Sequence, residues 1–214
     1  MGTRKTPARE DTRARLIRTG LRIARRQGLR ALTVRGLAQE AGVNLGTFVY
    51  HFGTRDAFVA VVIESWYAPL YDQLRITVDG SLAPVERLRA LCRQLVEFLV
   101  AHRRFIVHVI ADAAAGEAGA RTFMQTLGGR HPALLLQVIR EAQAAGTLTG
   151  DDPLNTMVFL LASVGGPLLG FTAIAEPRLL SRAFTAMLET SVATEAASLR
   201  RLDWALRGLA ASPA

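Results

Sequence analysis

Lysine occurs once in this 214-residue chain, at Lys5, and cysteine once, at Cys92. A single cysteine excludes an intrachain disulfide and any paired-cysteine zinc motif, and such usage fits a reducing compartment. Cys92 falls in an apolar helical stretch and reads as a small core residue. There is no glycine-rich phosphate loop ending in Lys, and neither GxSxG nor HExxH occurs. An enzyme is therefore disfavoured, and no cofactor or metal is expected. Asp151-Asp152 reads as the capped start of a helix rather than a catalytic pair. Aromatic residues make up only 7% of the chain, β-branched runs are short, and there is neither an internal repeat nor a low-complexity segment. Alanine, leucine and arginine dominate, and 50% of residues are hydrophobic, so the chain reads as all-α with a sizeable core.

Acidic residues are scarce at one end. Residues 1–56 hold twelve Lys/Arg against four Asp/Glu, while 57–214 hold fourteen of each, so the whole net charge of +8 lies in the first quarter. Such asymmetry fits a segment that meets a polyanion, either nucleic acid or an anionic membrane. A basic segment that only aids solubility is the plain alternative. No signal-peptide-like apolar stretch opens the sequence, so a cytoplasmic, nucleoid-associated protein is expected. The uncharged run 153–175 covers 23 positions, enough to span a bilayer. Asn155, Thr156, Ser163, Thr172 and the Gly165-Gly166-Pro167 break dilute it. A dimerisation helix covered by a partner, with no membrane, explains the run better.

The first quarter is punctuated at short intervals. Leu16, Ile17, Gly20, Leu21 and Ala24 share one face of a first helix, with Asp11, or Thr6 followed by Pro7, as its cap. Gly28 is placed to stop it. Thr33 caps a second helix near 34–41, and Gly42 ends it. Asn44 caps a third near 45–52, and Gly53 ends that. Thr54 caps a fourth running toward Thr77, with Pro69 expected to kink it. Further helices are expected near 83–103, 104–115, 119–145, 152–173 and 178–209, with breaks at Gly116, Gly128-Gly129 and Gly146. In the last stretch Leu199, Leu202, Leu206 and Leu209 form a seam for a neighbouring helix.

Three short helices with a tight Ala-Gly-Val turn meet the needs of a helix-turn-helix. Ala38 and Gly42 permit the close, steep crossing, and Leu37, Ala41, Val43, Phe48 and Phe52 supply a core. The stretch LTVRGLAQEAGVNLGTFVYHFGTRDAF (32–58) resembles the signature of TetR-type transcriptional regulators. The likeness is strong over 11–58 and rests on length and late apolar helices beyond. It implies an N-terminal helix-turn-helix DNA-binding domain (1–56) and a C-terminal helical ligand-binding and dimerisation domain (57–214). It also implies that Asn44, Leu45 and Gly46 meet base edges, that Thr33, Thr47, Tyr50 and His51 contact phosphates, and that Arg55 with Arg4, Lys5 and Arg9 adds electrostatic reach. One departure stands at Val49, where the family usually has Tyr. Tyr50 follows it, turned by about 100° around the helix.

For the remainder the resemblance implies a homodimer through the helices near 152–173 and 178–209, and a cavity for a small apolar effector. Ser163, Gly166 and Gly170 offer a small-residue face for close approach. Trp66, Phe98, Phe105, Phe123 and Met124 are candidates for the cavity wall, with His108 as its polar group; His108 and Asp112, four apart, can pair. Each is equally readable as ordinary core. The implied function is a ligand-responsive dimeric repressor that binds a pseudo-palindromic operator in double-stranded DNA and is released by its effector. The rivals are a non-specific nucleic-acid-binding protein without an effector, a membrane-associated helical protein, and a helical enzyme.

Overall fold

Polar side chains and left-handed glycines set the boundaries of the first helices. The computed structural model describes residues 11–175 and 179–211. Helix α1 (Thr12–Gln27) is capped by the Asp11 carboxylate, which accepts from the Arg13 N–H at 3.0 Å. Thr6 and Pro7, the other candidate cap, lie outside the described residues. A 3-10 turn at Leu29–Ala31 leads into α2 (Val34–Ala41), started by the Thr33 hydroxyl. Gly42, at φ +63°, makes the turn into α3 (Leu45–Phe52), and Asn44 caps that helix through the Thr47 N–H at 2.8 Å. Thr54 then starts α4 (Arg55–Val78), which continues through Pro69. Each cap satisfies a donor that the helix itself leaves open, typically worth about 1 kcal/mol.

Phe48, Phe52 and Phe58 meet edge-on or tilted, with ring centroids 4.8–5.5 Å apart, and join Leu16, Leu29, Leu32 and Leu37 in the core of this N-terminal head. Burial of each such side chain is worth roughly 1.5–3 kcal/mol. Gly20 is required here. A Cβ at that position would lie 2.5 Å from Cζ of Phe58, so α1 approaches α4 only because the side chain is absent.

The body is built around α5 (Pro84–Ala114), which packs against α4, α6 (Ala118–Leu127), α7 (His131–Ala144), α9 (Gly166–Ile174) and α11 (Glu195–Gly208). α8 (Pro153–Val164) packs on α7 and α11, and α10 (Arg182–Ser191) buries none of its residues. Three helix boundaries differ from the sequence reading. The expected break at 103/104 does not occur: no Gly or Pro stands between Val85 and Ala115, and the His102-Arg103-Arg104 run continues the helix. The stretch 152–173 is two helices bent by 49°, because Pro167 lacks the N–H that would carry the ladder through. The stretch 178–209 divides at Val192–Thr194 without any Gly or Pro; Thr194 accepts from the Ala197 N–H and starts α11, while the N–H groups of Val192 and Ala193 both close on the Leu188 carbonyl. Arg178 lies outside the described residues.

Asp152 caps α8 through the Asn155 N–H at 2.9 Å. Cys92 is buried, and burial pushes its thiol up to about 12. The leucine seam of α11 faces α8 and α5 of the same chain, with Leu202 and Leu206 fully in the core. Among the described residues no single helix is long and apolar enough to cross a membrane; α8 and α9 would qualify only as a bent pair, by length and composition.

Candidate functional site

The helix-turn-helix leaves one face of α3 open. Phe48 and Phe52 point into the head, so Tyr50 turns outward by helical periodicity and is 85% exposed; Val49 lies to the side, and Leu45 is exposed because it stands at the first position of α3. Asn44 and Gly46 are exposed beside them, with Thr33 exposed at the start of α2 and His51 and Thr47 half-buried. The Asn44 amide oxygen accepts from both the Thr47 N–H (2.8 Å) and the Thr47 hydroxyl (2.9 Å), so its amide nitrogen has its donors turned to other partners. The Tyr50 and His51 rings meet edge-on at 5.1 Å. Asn44, Leu45, Gly46, Thr47, Tyr50 and His51 thus lie on or beside the exposed side of α3, and Thr33 lies at the start of α2, which packs on it. Arg4, Lys5 and Arg9 lie outside the described residues.

Arg55 does not belong to that surface. Its Nε donates to the Leu32 carbonyl at 2.6 Å, one Nη to Glu117 Oε1 at 2.9 Å and Asp56 at 3.1 Å, and the other to Glu117 Oε2 at 2.9 Å and the Leu29 carbonyl at 3.0 Å. The Glu117 side chain is 6% exposed. Its hydrogen bonds to Arg55, the largest influence on that guanidinium, hold it above its ordinary range. The expected DNA contact is corrected to an internal fastening: Arg55, at the start of α4, ties the 3-10 turn of the head to the α5–α6 corner of the body. Asp112 adds a second point, its Oδ2 accepting the Leu29 N–H at 2.6 Å rather than pairing with His108.

Between α4, α5, α6, α7 and the α8–α9 bend lies a cavity of about 280 Å³. Trp66, Phe98, Phe123 and Met124 line it as the sequence predicts. Phe105 and His108 do not. Phe105 is buried behind Trp66, ring centroids 4.8 Å apart, because the straight run of α5 turns it away from the opening. His108 sits on another face of α5, in a shallow surface hollow with Arg104 and Thr172. His131, at the first position of α7, lines the cavity together with its hydrogen-bond partner Tyr67. Burial lowers its pKa to about 4 and raises that of Tyr67, its partner, to about 12. The wall carries no Asp, Glu, Lys or Arg. No spacing pattern singles out His131, since its role comes from a contact with Tyr67 64 positions away.

Residues 16–62 match the tetR family of bacterial regulatory proteins, and residues 81–167 match the tetracyclin repressor-like C-terminal domain. The HTH-type transcriptional repressor KstR2 of Mycolicibacterium smegmatis is 25% identical over 127 residues, 58% of this chain and 62% of its own length. The transcriptional regulator AcuR of Cereibacter sphaeroides is 34% identical over 150 residues, 64% of this chain and 66% of its own. The matched part is thus less than two thirds of each of these relatives. A solved structure from Pseudomonas aeruginosa superposes with a TM-score of 0.71 at 22% identity, covering 92% of this chain and 88% of that one, a likeness of fold. With the N-terminal and C-terminal family matches falling in order on the head and the body, the chain belongs to the TetR family of transcriptional regulators.

Proposed function

We propose that this chain is an effector-responsive dimeric repressor, with a DNA-binding head (1–56) and a regulatory, dimerising body (57–214). The observation that carries the reading is the course of α4. Its first residue, Arg55, is fastened to the head, and about three to four turns on Trp66, Tyr67 and Leu70 form part of the wall of the apolar cavity. A molecule that changes the packing at these residues acts on the element that sets the pose of the head. The exposed face of α3 then enters the major groove. Leu45 meets thymine methyl groups, Asn44 and Gly46 approach base edges, and Thr33, Thr47, Tyr50 and His51 hold phosphates. KstR2 is named a transcriptional repressor, which favours repression over activation.

Dimerisation is supported by apolar side chains that the single chain leaves uncovered: Leu154, Val158 and Phe159 on α8, Ile174 on α9, and Phe184 and Met187 on α10. A Cβ at Gly170 would meet nothing within 4 Å, so a neighbouring helix has room to approach there. A two-fold dimer would set its recognition helices about 34–36 Å apart, matching a pseudo-palindromic operator.

The test is selection from random DNA duplexes by the purified full chain at near-physiological salt. Recovery of a two-fold-symmetric site is the expected result. A salt-sensitive pool without sequence preference would replace this reading with non-specific nucleic-acid binding.

A further inference from the structure

We propose that the cavity takes an uncharged, largely apolar molecule whose one hydrogen-bond acceptor, a carbonyl or equivalent oxygen, is held by the Nε2–H of His131. The proposal rests on the reading of this cavity as the effector site and adds the chemistry of the effector to it.

The orientation of the proton follows from Tyr67. Helix α7 begins without a side-chain cap of its own, since Arg130 makes none. Its first N–H, that of His131, points to the Tyr67 hydroxyl oxygen at 3.4 Å, so this oxygen serves as the missing acceptor. The single hydroxyl proton of Tyr67 is then free for the other contact, to Nδ1 of His131 at 2.9 Å. Because Tyr67 is 2% exposed and its hydroxyl meets no other acceptor among the described residues, Nδ1 is assigned as the acceptor, which puts the proton of the neutral imidazole on Nε2. The desolvation that depresses this imidazole keeps it neutral at physiological pH. Among the described residues nothing is bonded to Nε2, and it is not among the buried polar atoms shut off without a partner, so a probe can reach it. His131 lines the cavity, so its Nε2–H is the donor assigned to the wall; of the other polar side chains there, the Tyr67 hydroxyl is engaged with His131 and the Trp66 Nε1–H is buried without a partner.

Charge is excluded by the same wall. No Asp, Glu, Lys or Arg lines the cavity, and His131 is neutral there. Arg130, beside the wall residues Tyr67 and Phe123, donates to both oxygens of Glu64 at 2.8 and 3.0 Å and lies over the Tyr67, Tyr71 and Phe123 rings. Its charge is already matched, so a carboxylate entering the cavity would lose its hydration with no partner left for it. A buried ammonium group would find no carboxylate on the wall.

Four probes of nearly equal size separate the possibilities: 2-octanone, 2-methyl-1-octene in which C=CH2 replaces C=O, octanoate, and octylammonium. Binding is read on the full chain by tryptophan fluorescence, with Trp66 in the wall as the reporter and exposed Trp204 as background. The expected result is that the ketone binds about 2–13 times more tightly than the alkene, as one buried neutral hydrogen bond provides. Both charged probes should bind more weakly than the ketone. His131→Phe should abolish the preference while the alkene still binds, which shows that the variant is folded. His131→Gln, which keeps a donor, should retain part of the preference. Equal affinity for ketone and alkene in the unaltered chain would overturn the His131 anchor and leave the effector cavity standing. Tighter binding of octanoate or the ammonium probe would overturn the uncharged class. No binding of any probe would overturn the anchor and the effector reading together.

Discussion

Gly20 and His131 show how differently single residues disclose themselves. The 3.6-residue spacing of Leu16, Ile17, Gly20, Leu21 and Ala24 already places Gly20 on the buried face of α1, and the structure adds the neighbour that forbids a side chain there, Phe58. Phe58 is itself held between Phe48 and Phe52 and has nowhere to go. Gly20→Ala is expected to destabilise the chain by about 1–3 kcal/mol, the usual effect of overpacking; thermal and urea melts check it. His131 carries no such pattern. Its pKa is lowered from 6.5 to about 4 by burial, so the unfolded chain binds a proton more readily than the folded one between those values. Stability contributed by the neutral imidazole is complete above pH 6.5 and is lost as pH falls toward 4, to a total on the order of 3 kcal/mol. Urea melts from pH 7 to pH 4 should show this slope, and His131→Gln should remove most of it.

Among the helices, those with a cap and a glycine close at hand were legible: α2, α3 and the start of α4 follow their Thr33, Asn44 and Thr54 signals. The two halves of 178–209 were not, since Thr194 ends one helix and starts another with neither Gly nor Pro nearby. The fastening between α4 and α6 was equally hidden, because Arg55 and Glu117 stand 62 positions apart. Removing Arg55 leaves the Glu117 carboxylate buried without a counter-charge, whereas removing Glu117 leaves the partly exposed Arg55 paired with Asp56. Arg55→Met alone is therefore expected to lose about 3–5 kcal/mol, and Glu117→Leu alone less. The double substitution Arg55→Met with Glu117→Leu should be clearly less damaging than the sum of the two single changes. Denaturant melts of the four proteins measure this; additive losses would mean that the pair does not act as a unit.

For the whole molecule, the surplus of positive charge in 1–56 and the neutral remainder mark two jobs before any coordinates are drawn. The apolar run 153–175 posed the larger ambiguity, being long enough for a bilayer. Its bend at Gly165–Pro167 lets one face close the cavity and join the core, while Leu154, Val158 and Phe159 stay outward. Gly170→Leu is expected to preserve the fold, since the added side chain starts in open space, and to abolish the proposed dimer. Sedimentation equilibrium of the variant checks this, with circular dichroism as the folding control. A persisting dimer would place the interface on another face.

The family, the helix-turn-helix and the open face of α3 could be read from the chain because they depend on local chemistry: a cap three residues from its donor, a glycine able to take positive φ, apolar residues at helical spacing. The roles of Arg55, Phe105, His108 and His131 could not. Arg55 offers five donors to any acceptor within reach, and only packing brings Glu117 and the Leu29 and Leu32 carbonyls to it. Phe105 and His108 sit on an apolar-rich helix whose rotation depends on that helix running unbroken from Pro84 to Ala114. His131 becomes a neutral donor only because Tyr67, from another helix, meets it in a dry interior. Local rules set where the helices begin and end, and the contacts between distant helices set what their side chains are free to do.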